Sequence, residues 1–408
     1  MADQLAVWLY GVRVATIESE RRRLRLAYTP EAHDRFPGGT PLLSLTLPVS
    51  ADRFGSGIVR PFLDGLLPEG ESRRAIAEDL DLRADDTFGL IRALGRDCAG
   101  AIVIQPEGED PPPAVTTTAE PLDETQLSVL IATLRTAPLG VGDRVRISLA
   151  GVQEKLLLTR LPDGRWGSPV DGTPSTHILK PEIRGYPNTV ENEAFCMRLA
   201  GQLGLPVSEI ATTRIGERRL LVVTRYDRVI DQSGHVQRIH QEDLCQATAM
   251  PPQRKYQEDG GPPLRSLATI LGATDPGSLE TLLGAVVLHV LVGNGDAHAK
   301  NYSLLHEPSG ALTLAPLYDV MSTLYYGDDR LAMYIDDVRR TDRVTIPRIV
   351  NEASAWGMSR RRAEEIIEGL LDGVPAAADR AAAETPGLPD EIPVILNAQL
   401  RRLRNSEM

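Results

Sequence analysis

The run Leu282–Val292, Leu-Leu-Gly-Ala-Val-Val-Leu-His-Val-Leu-Val, is apolar on nearly every face of a helix. A helix without a polar face must be enclosed on all sides, so this stretch demands a domain large enough to surround it. At 11 residues it is too short to cross a bilayer. It delivers the chain into Gly293-Asn294-Gly295, a turn whose glycines cost backbone entropy and point to a loop held in an unusual shape.

That loop continues as Asp296-Ala297-His298-Ala299-Lys300-Asn301. The segments Tyr302-Ser303-Leu304-Leu305 and Leu312-Thr313-Leu314, on either side of Pro308-Ser309-Gly310, form a hairpin that carries the chain back to Pro316-Leu317-Tyr318-Asp319. An aspartate, an asparagine five residues on and a second aspartate after an apolar strand is the spacing that phosphoryl transfer from ATP to a hydroxyl needs. Asp296 would orient the hydroxyl and accept its proton, while Asn301 and Asp319 would hold Mg²⁺ against the triphosphate. Asp296-Ala297-His298 also resembles the start of a dimetal phosphoesterase site, but such a site needs further ligands. After Asp296 the chain offers only His298 and His306, with no Gly-Asn-His cluster.

The chain has 408 residues, 42% of them hydrophobic and 25% charged, enough for two or three packed domains. Its formal net charge of −12 removes the overall basic field that carries non-specific nucleic-acid binding, and runs such as Arg360-Arg361-Arg362 and Arg401-Arg402-Leu403-Arg404 read as solvated helix faces. Three widely spaced cysteines, Cys98, Cys196 and Cys245, indicate reduced thiols and a cytoplasmic compartment. The opening residues carry no export signal, and nothing calls for a membrane.

Short strands are expected at Leu5–Tyr10, Val12–Ile17, Leu24–Tyr28 and Leu42–Leu47, a helix from Pro61 to Leu80, and a helix and strand over Phe88–Gly95 and Ala99–Ile104. Together they make an α+β domain over 1–105 with no chemistry of its own. The Pro- and Thr-rich segment 106–122 is a linker. A β-rich region follows over 123–240, then a mainly helical one over 241–408. Arg144–Arg160 reads as strand, small-residue turn, strand, able to lay backbone N–H groups over phosphates with the Ser148 hydroxyl in reach. Lys180, in the strand Thr176–Pro181, is placed to grip the α- and β-phosphates, with Glu193 or Glu191 as its partner at the start of the helix Val190–Ala200. Strands at Arg219–Asp227 and Val236–Leu244 lead to a crossover where backbone groups of Gln241–Leu244 would face adenine. A helix over Ser359–Leu371 follows later, with Ile366, Ile367, Leu370 and Leu371 on one face.

Several stretches in this order resemble the HipA family of bacterial serine/threonine kinases, the toxin half of HipBA-type toxin–antitoxin pairs. They are Ser148–Lys155, Thr176–Pro181, Glu191-Asn192-Glu193, Gln241–Gln246, Lys255-Tyr256 through Pro262, Gly295–Asn301 and Leu317-Tyr318-Asp319, with Leu66–Gly70 and Gly95–Ala101 in the leading domain. Gln257 stands where some relatives have Glu after Lys-Tyr. The resemblance implies an α+β, two-lobed protein-kinase-like fold and ATP- and Mg²⁺-dependent phosphorylation of a protein. It implies Asp296 as base, Lys180 as phosphate cation and Asn301 and Asp319 as metal ligands. Nucleotide contacts would come from Ala150, Gly151, Val152, Gln153, Glu154 and Lys155, from Glu242, Asp243 and Leu244, and from His298 and Lys300. It also implies silencing by autophosphorylation at Ser148, a helix-turn-helix antitoxin through which operator DNA is bound, and a cytosolic protein substrate, which in relatives can be an aminoacyl-tRNA ligase. The alternative is a non-catalytic kinase-like scaffold that only docks the antitoxin and tunes its operator binding.

Overall fold

The computed structural model describes residues 3–112, 119–134, 148–151, 153–170, 172–231, 235–307 and 310–406. In chain order its elements are β1 (Asp3–Leu9), β2 (Val12–Glu20), β3 (Arg23–Tyr28), α1 (Pro30–Arg35), α2 (Ser56–Leu66), α3 (Gly70–Asp79), α4 (Thr87–Leu94), β4 (Ile102–Pro106), β5 (Ala119–Pro121), α5 (Glu124–Thr133), β6 (Leu156–Arg160), β7 (Trp166–Pro169) and β8 (His177–Pro181). There follow α6 (Thr189–Gln202), β9 (Ile210–Ile215), β10 (Arg218–Thr224), β11 (Arg228–Ile230), β12 (Val236–Arg238), β13 (Gln241–Asp243) and α7 (Leu244–Ala247). The remainder is α8 (Leu264–Thr274), α9 (Ser278–Val292), β14 (Ser303–His306), β15 (Leu312–Leu314), β16 (Arg330–Ile335), β17 (Val338–Arg340), α10 (Ile346–Ala355), α11 (Arg360–Ala383) and α12 (Glu391–Arg404). The chain forms two compact units: unit 1 is Met1–Pro181 with Arg214–Pro252, and unit 2 is Glu182–Thr213 with Gln253–Met408.

Two larger sheets lie in unit 1, besides the β11–β12 pair. The first has the order β3-β2-β1-β4, all neighbours antiparallel, and its core takes Phe62, Leu63 and Leu66 of α2 and Leu90, Ile91 and Leu94 of α4. In the second, β5, β7, β6, β8 and β10 lie side by side in that order. β6 is buried on both faces, which its unbroken leucine run foreshadows. Leu157 joins the core of the first sheet, while Leu156 and Leu158 turn to the core under α5, the alternation a strand imposes.

Three expectations fail locally. Leu42–Leu47 is not a strand: Leu42 and Leu43 are both buried, and Leu47 N donates to the Ser44 carbonyl to close a turn. The helix expected over Pro61–Leu80 breaks between α2 and α3, because Pro68 holds the preceding Leu67 extended, at φ −91° and ψ 154°. The strand expected over Val236–Leu244 is divided: β12 pairs with β11, and Asp243 ends β13 by capping α7. Within Arg144–Arg160, residues 144–147 and Val152 lie outside the described residues, Ser148–Lys155 is irregular where described, and β6 follows.

Unit 2 is mainly helical. α9 is enclosed as its composition requires, packed by α8, α10, α11 and α12. It stops at Gly293 in the left-handed region, φ +67°. There Asn294 N donates to the His289 carbonyl and Gly293 N to that of Val290, the paired bonds of a Schellman cap. β14 and β15 form the expected hairpin, with Leu304 opposite Leu314. α11 starts one residue after Ser359, whose hydroxyl caps it, and runs on to Ala383. It buries Ile367 and Leu371 and leaves Ile366 and Leu370 half-buried.

Candidate active site

Beyond the α9 cap, the loop is fastened from both sides. Gly295 N donates to Thr323 Oγ1 at 2.7 Å, and Ala332 N of β16 donates to the Gly295 carbonyl at 2.8 Å. A Cβ on Gly295 would stand 2.1 Å from the Arg330 carbonyl oxygen, so the approach to β16 admits only glycine. Asn294 Oδ1 accepts from Asp296 N, and Asn301 Oδ1 accepts from His298 N, which close the loop on itself. Asp296 is thereby left as the one exposed residue between Leu291 and Asn301.

Asp296, His298, Lys300, Asn301 and Asp319 all lie in unit 2 and share this neighbourhood. Asn301 Nδ2 donates to Asp319 Oδ2 at 3.1 Å. Asp319 sits in the left-handed region, φ +60°, a conformation that aspartate and asparagine tolerate better than most residues. Its segment is held by Tyr318, whose hydroxyl donates to the Lys300 carbonyl at 2.6 Å, and by Asn192 of α6, whose amide bonds both Ser322 N and the Ser322 carbonyl.

The electrostatics keep the acid and the histidine distinct. Protein packed around the Asp296 carboxylate raises its pKa above the ordinary range even though the residue reaches the surface. Tyr256, donating to Oδ1 at 2.7 Å, opposes that rise, and Asp319 adds to it. His298 is buried and held neutral, its pKa pushed down to about 3, by desolvation first and Lys255 second. Its Nδ1 has no hydrogen-bond partner among the described residues, while its ring meets that of Tyr256 edge-on at 5.2 Å. No group of three or more His, Cys, Asp and Glu suited to a metal occurs among the described residues. Asn301 and Asp319 form a smaller set, of the kind Mg²⁺ takes when phosphates and water complete its shell.

Tyr256 and Asn192 are what sequence reasoning passed over. Both stand inside stretches that carry the family resemblance, yet Tyr256 meets Asp296 from 40 residues away and Asn192 meets Ser322 from 130. The only signal in sequence is an aromatic in a polar Gly/Pro loop and an amide between two acids. Gln257 ties its loop to β16, its Oε1 accepting from Tyr334 N at 2.8 Å.

Most of the other candidates lie in unit 1. Lys180 is buried in β8, opposite Leu221; Glu191 and Glu193 are buried in the first turns of α6, which belongs to unit 2. Ser148 is buried, its N–H donating to the Asp97 carbonyl and its Oγ to the Leu66 carbonyl at 2.6 Å. Lys155 Nζ donates to the Ala150 carbonyl and lies over Gly151, whose φ is +122° and whose carbonyl accepts from Glu69 N. Gln153 Nε2 reaches the Pro181 carbonyl at 3.4 Å, and Glu154 is half-buried. Asp243 exchanges bonds with Gln246 in a capping box, Leu244 opens α7, and Glu242 turns its side chain toward Ser44 and Leu45. Cys98, Cys196 and Cys245 are buried and form no disulfide.

A family model described as the HipA-like C-terminal domain matches residues 147–378, and one described as the HipA N-terminal domain matches residues 5–105. The chain is 39% identical over 362 residues to the putative kinase Y4mE of Sinorhizobium fredii, covering 85% of this chain and 84% of that protein. It is 32% identical over 370 residues to the serine/threonine-protein kinase toxin HipA of Shewanella oneidensis, covering 83% of each. Among solved structures, it superposes on the Shewanella oneidensis MR-1 complex of HipA, HipB and operator DNA with a TM-score of 0.83 at 27% identity, over 98% of this chain and 95% of that one. The α+β, kinase-like fold expected from the sequence therefore holds. No helix among the described residues is long and apolar enough to cross a membrane. The chain belongs to the HipA family and is a kinase.

Proposed function

We propose that this kinase transfers the γ-phosphate of Mg²⁺-ATP to a serine or threonine of a cytosolic protein, and that it is the toxin of a pair completed by a helix-turn-helix antitoxin. Operator DNA would be bound mainly through that antitoxin, in keeping with the acidic chain. The reading is carried by one observation: the loop after α9 exposes Asp296 beside the touching side chains of Asn301 and Asp319. Those side chains and the orphaned Nδ1 of buried His298 suit a metal-bound polyphosphate, which supplies the electrophilic phosphorus when bound.

Asp296 is the base. A carboxylate whose pKa is raised above the ordinary range is, once ionised, a stronger acceptor of a hydroxyl proton than one of ordinary acidity. Asn301 and Asp319 would hold the metal, and Lys180 would carry the positive charge against the α- and β-phosphates. The segment Ala150–Lys155, the crossover Glu242–Leu244, and His298 and Lys300 would bind the rest of the nucleotide. Ser148 is the proposed autophosphorylation site. Its hydroxyl is spent on the Leu66 carbonyl, so modification requires the segment to leave this seat, and a dianionic phosphate would not fit back into it.

The test is incubation of purified, initially unphosphorylated protein with γ-labelled ATP and Mg²⁺, followed by peptide mass spectrometry. Label on Ser148 is expected. Absence of label together with absence of measurable ATP affinity would remove the catalytic reading.

A further inference from the structure

Within unit 1, the crossover proposed to face adenine is gripped by residues of the N-terminal domain. His240, just before β13, and Glu242, within it, both reach into that domain. His240 Nε2 lies 3.0 Å from the Leu43 carbonyl, and His240 N donates to the Tyr10 hydroxyl at 3.0 Å. Glu242 accepts from Ser44 Oγ at 2.6 Å on one carboxylate oxygen and from Leu45 N at 2.9 Å on the other. In α7, Gln246 Nε2 donates to the Phe62 carbonyl at 3.0 Å, and the Gln246 carbonyl accepts from Thr46 Oγ1 at 3.2 Å. Packing there is close, since a Cβ on Gly65 would lie 2.5 Å from Gln246 Cγ. Glu242 is 1% exposed and Ser44 0%.

This accounts for the failed strand at Leu42–Leu47. The turn there presents the Ser44 hydroxyl and the Leu45 N–H side by side as a two-pronged donor for one carboxylate. A buried carboxylate stays in place only while its oxygens keep their donors.

We propose that Ser44 is a positioning residue for nucleotide binding. Acting through Glu242, it fixes the crossover backbone, so the N-terminal domain sets the affinity for ATP instead of serving only as a packing domain. The proposal rests on the kinase reading above. It places no atom of Ser44 on the nucleotide.

The test measures KM for ATP and kcat in the full chain, with a thermal midpoint recorded for every variant. Ser44→Ala is expected to raise KM about tenfold with kcat within about twofold. Glu242→Ala should raise KM similarly, and the double variant should be no worse than the worse single one, because both remove the same contact. Thr46→Val, which removes the neighbouring donor to Gln246, should raise KM by a few-fold. Arg53→Ala, an exposed change in the same domain, should leave KM alone. A wild-type chain that turns over ATP, with KM within twofold in Ser44→Ala and in Thr46→Val, overturns this inference alone. So does a double variant whose KM effect is the product of the two singles. A wild-type chain that neither binds nor turns over ATP overturns the kinase reading and this inference together.

Discussion

The hydroxyl of Tyr256 donates to Asp296 and so favours the ionised carboxylate, working against the desolvation that raises its pKa. Removing that donor in Tyr256→Phe should raise the carboxyl pKa further. The proposed base acts when ionised, so the acid limb of the kcat/KM profile should move to higher pH in this variant. An unmoved limb would separate Tyr256 from the base. Asp319→Asn probes the proposed metal side. Asparagine tolerates the left-handed backbone at this position, so the thermal midpoint should hold while the Mg²⁺ concentration needed for nucleotide binding rises by about tenfold or more. Retained Mg²⁺ dependence, titrated by nucleotide fluorescence, would take Asp319 out of the metal set. That Asp296, Asn301 and Asp319 come together was legible in sequence because their spacing is short and local. Tyr256 was not, because its partnership is made only when the chain folds.

Among the elements, α9 and its cap illustrate how much one apolar run dictates. Its all-round hydrophobicity announced a buried helix, and Gly293 and Gly295 announced a strained loop. Sequence could not show that the reason for Gly295 is the Arg330 carbonyl, which lies on a strand reached only after the β14–β15 hairpin. Gly295→Ala should force the loop away from β16, costing about 1–3 kcal/mol in urea denaturation and most of the activity. The same region carries an acid sensitivity. His289 and His298 are buried and kept neutral in the fold, with pKa values pushed down to about 4 and about 3, mainly by desolvation. The unfolded chain takes up these protons near pH 6.5 and the folded one does not, so stability is whole above that pH and drains away as pH falls toward 4. At pH 5 the loss should be of order 1–2 kcal/mol per histidine. Denaturant midpoints at pH 7 and pH 5 read it directly, and a His289→Gln variant with an unchanged slope would contradict it. Leu42–Leu47 shows the opposite limit of sequence reading, because its period of two was real but the Ser44 hydroxyl was committed to a carboxylate 198 residues away.

Across the whole molecule, the least legible feature is a charge cluster in unit 1. Asp97 is fully buried and faces Arg228 at 2.9 Å, Arg238 at 3.4 Å and Arg225 at 3.5 Å, with the Ser175 hydroxyl at 2.6 Å. Burial pushes its pKa up, and the three arginines together pull it below the usual carboxylate range. Arg225, Asp227 and Arg228 stand together in sequence, but nothing there links them to the far-upstream Asp97. Removing its charge in Asp97→Asn should cost about 3–5 kcal/mol in denaturant unfolding, since arginines would be left buried without their partner. The proposed chemistry depends above all on Asp296 as the group that takes the proton from the acceptor hydroxyl. Its most direct test sets Mg²⁺-ATP affinity beside single-turnover phosphate transfer in Asp296→Asn. The expected result is affinity within about threefold of wild type and transfer slowed by about 10²–10⁴. Transfer at the wild-type rate, or affinity and transfer lost in equal measure, would contradict it.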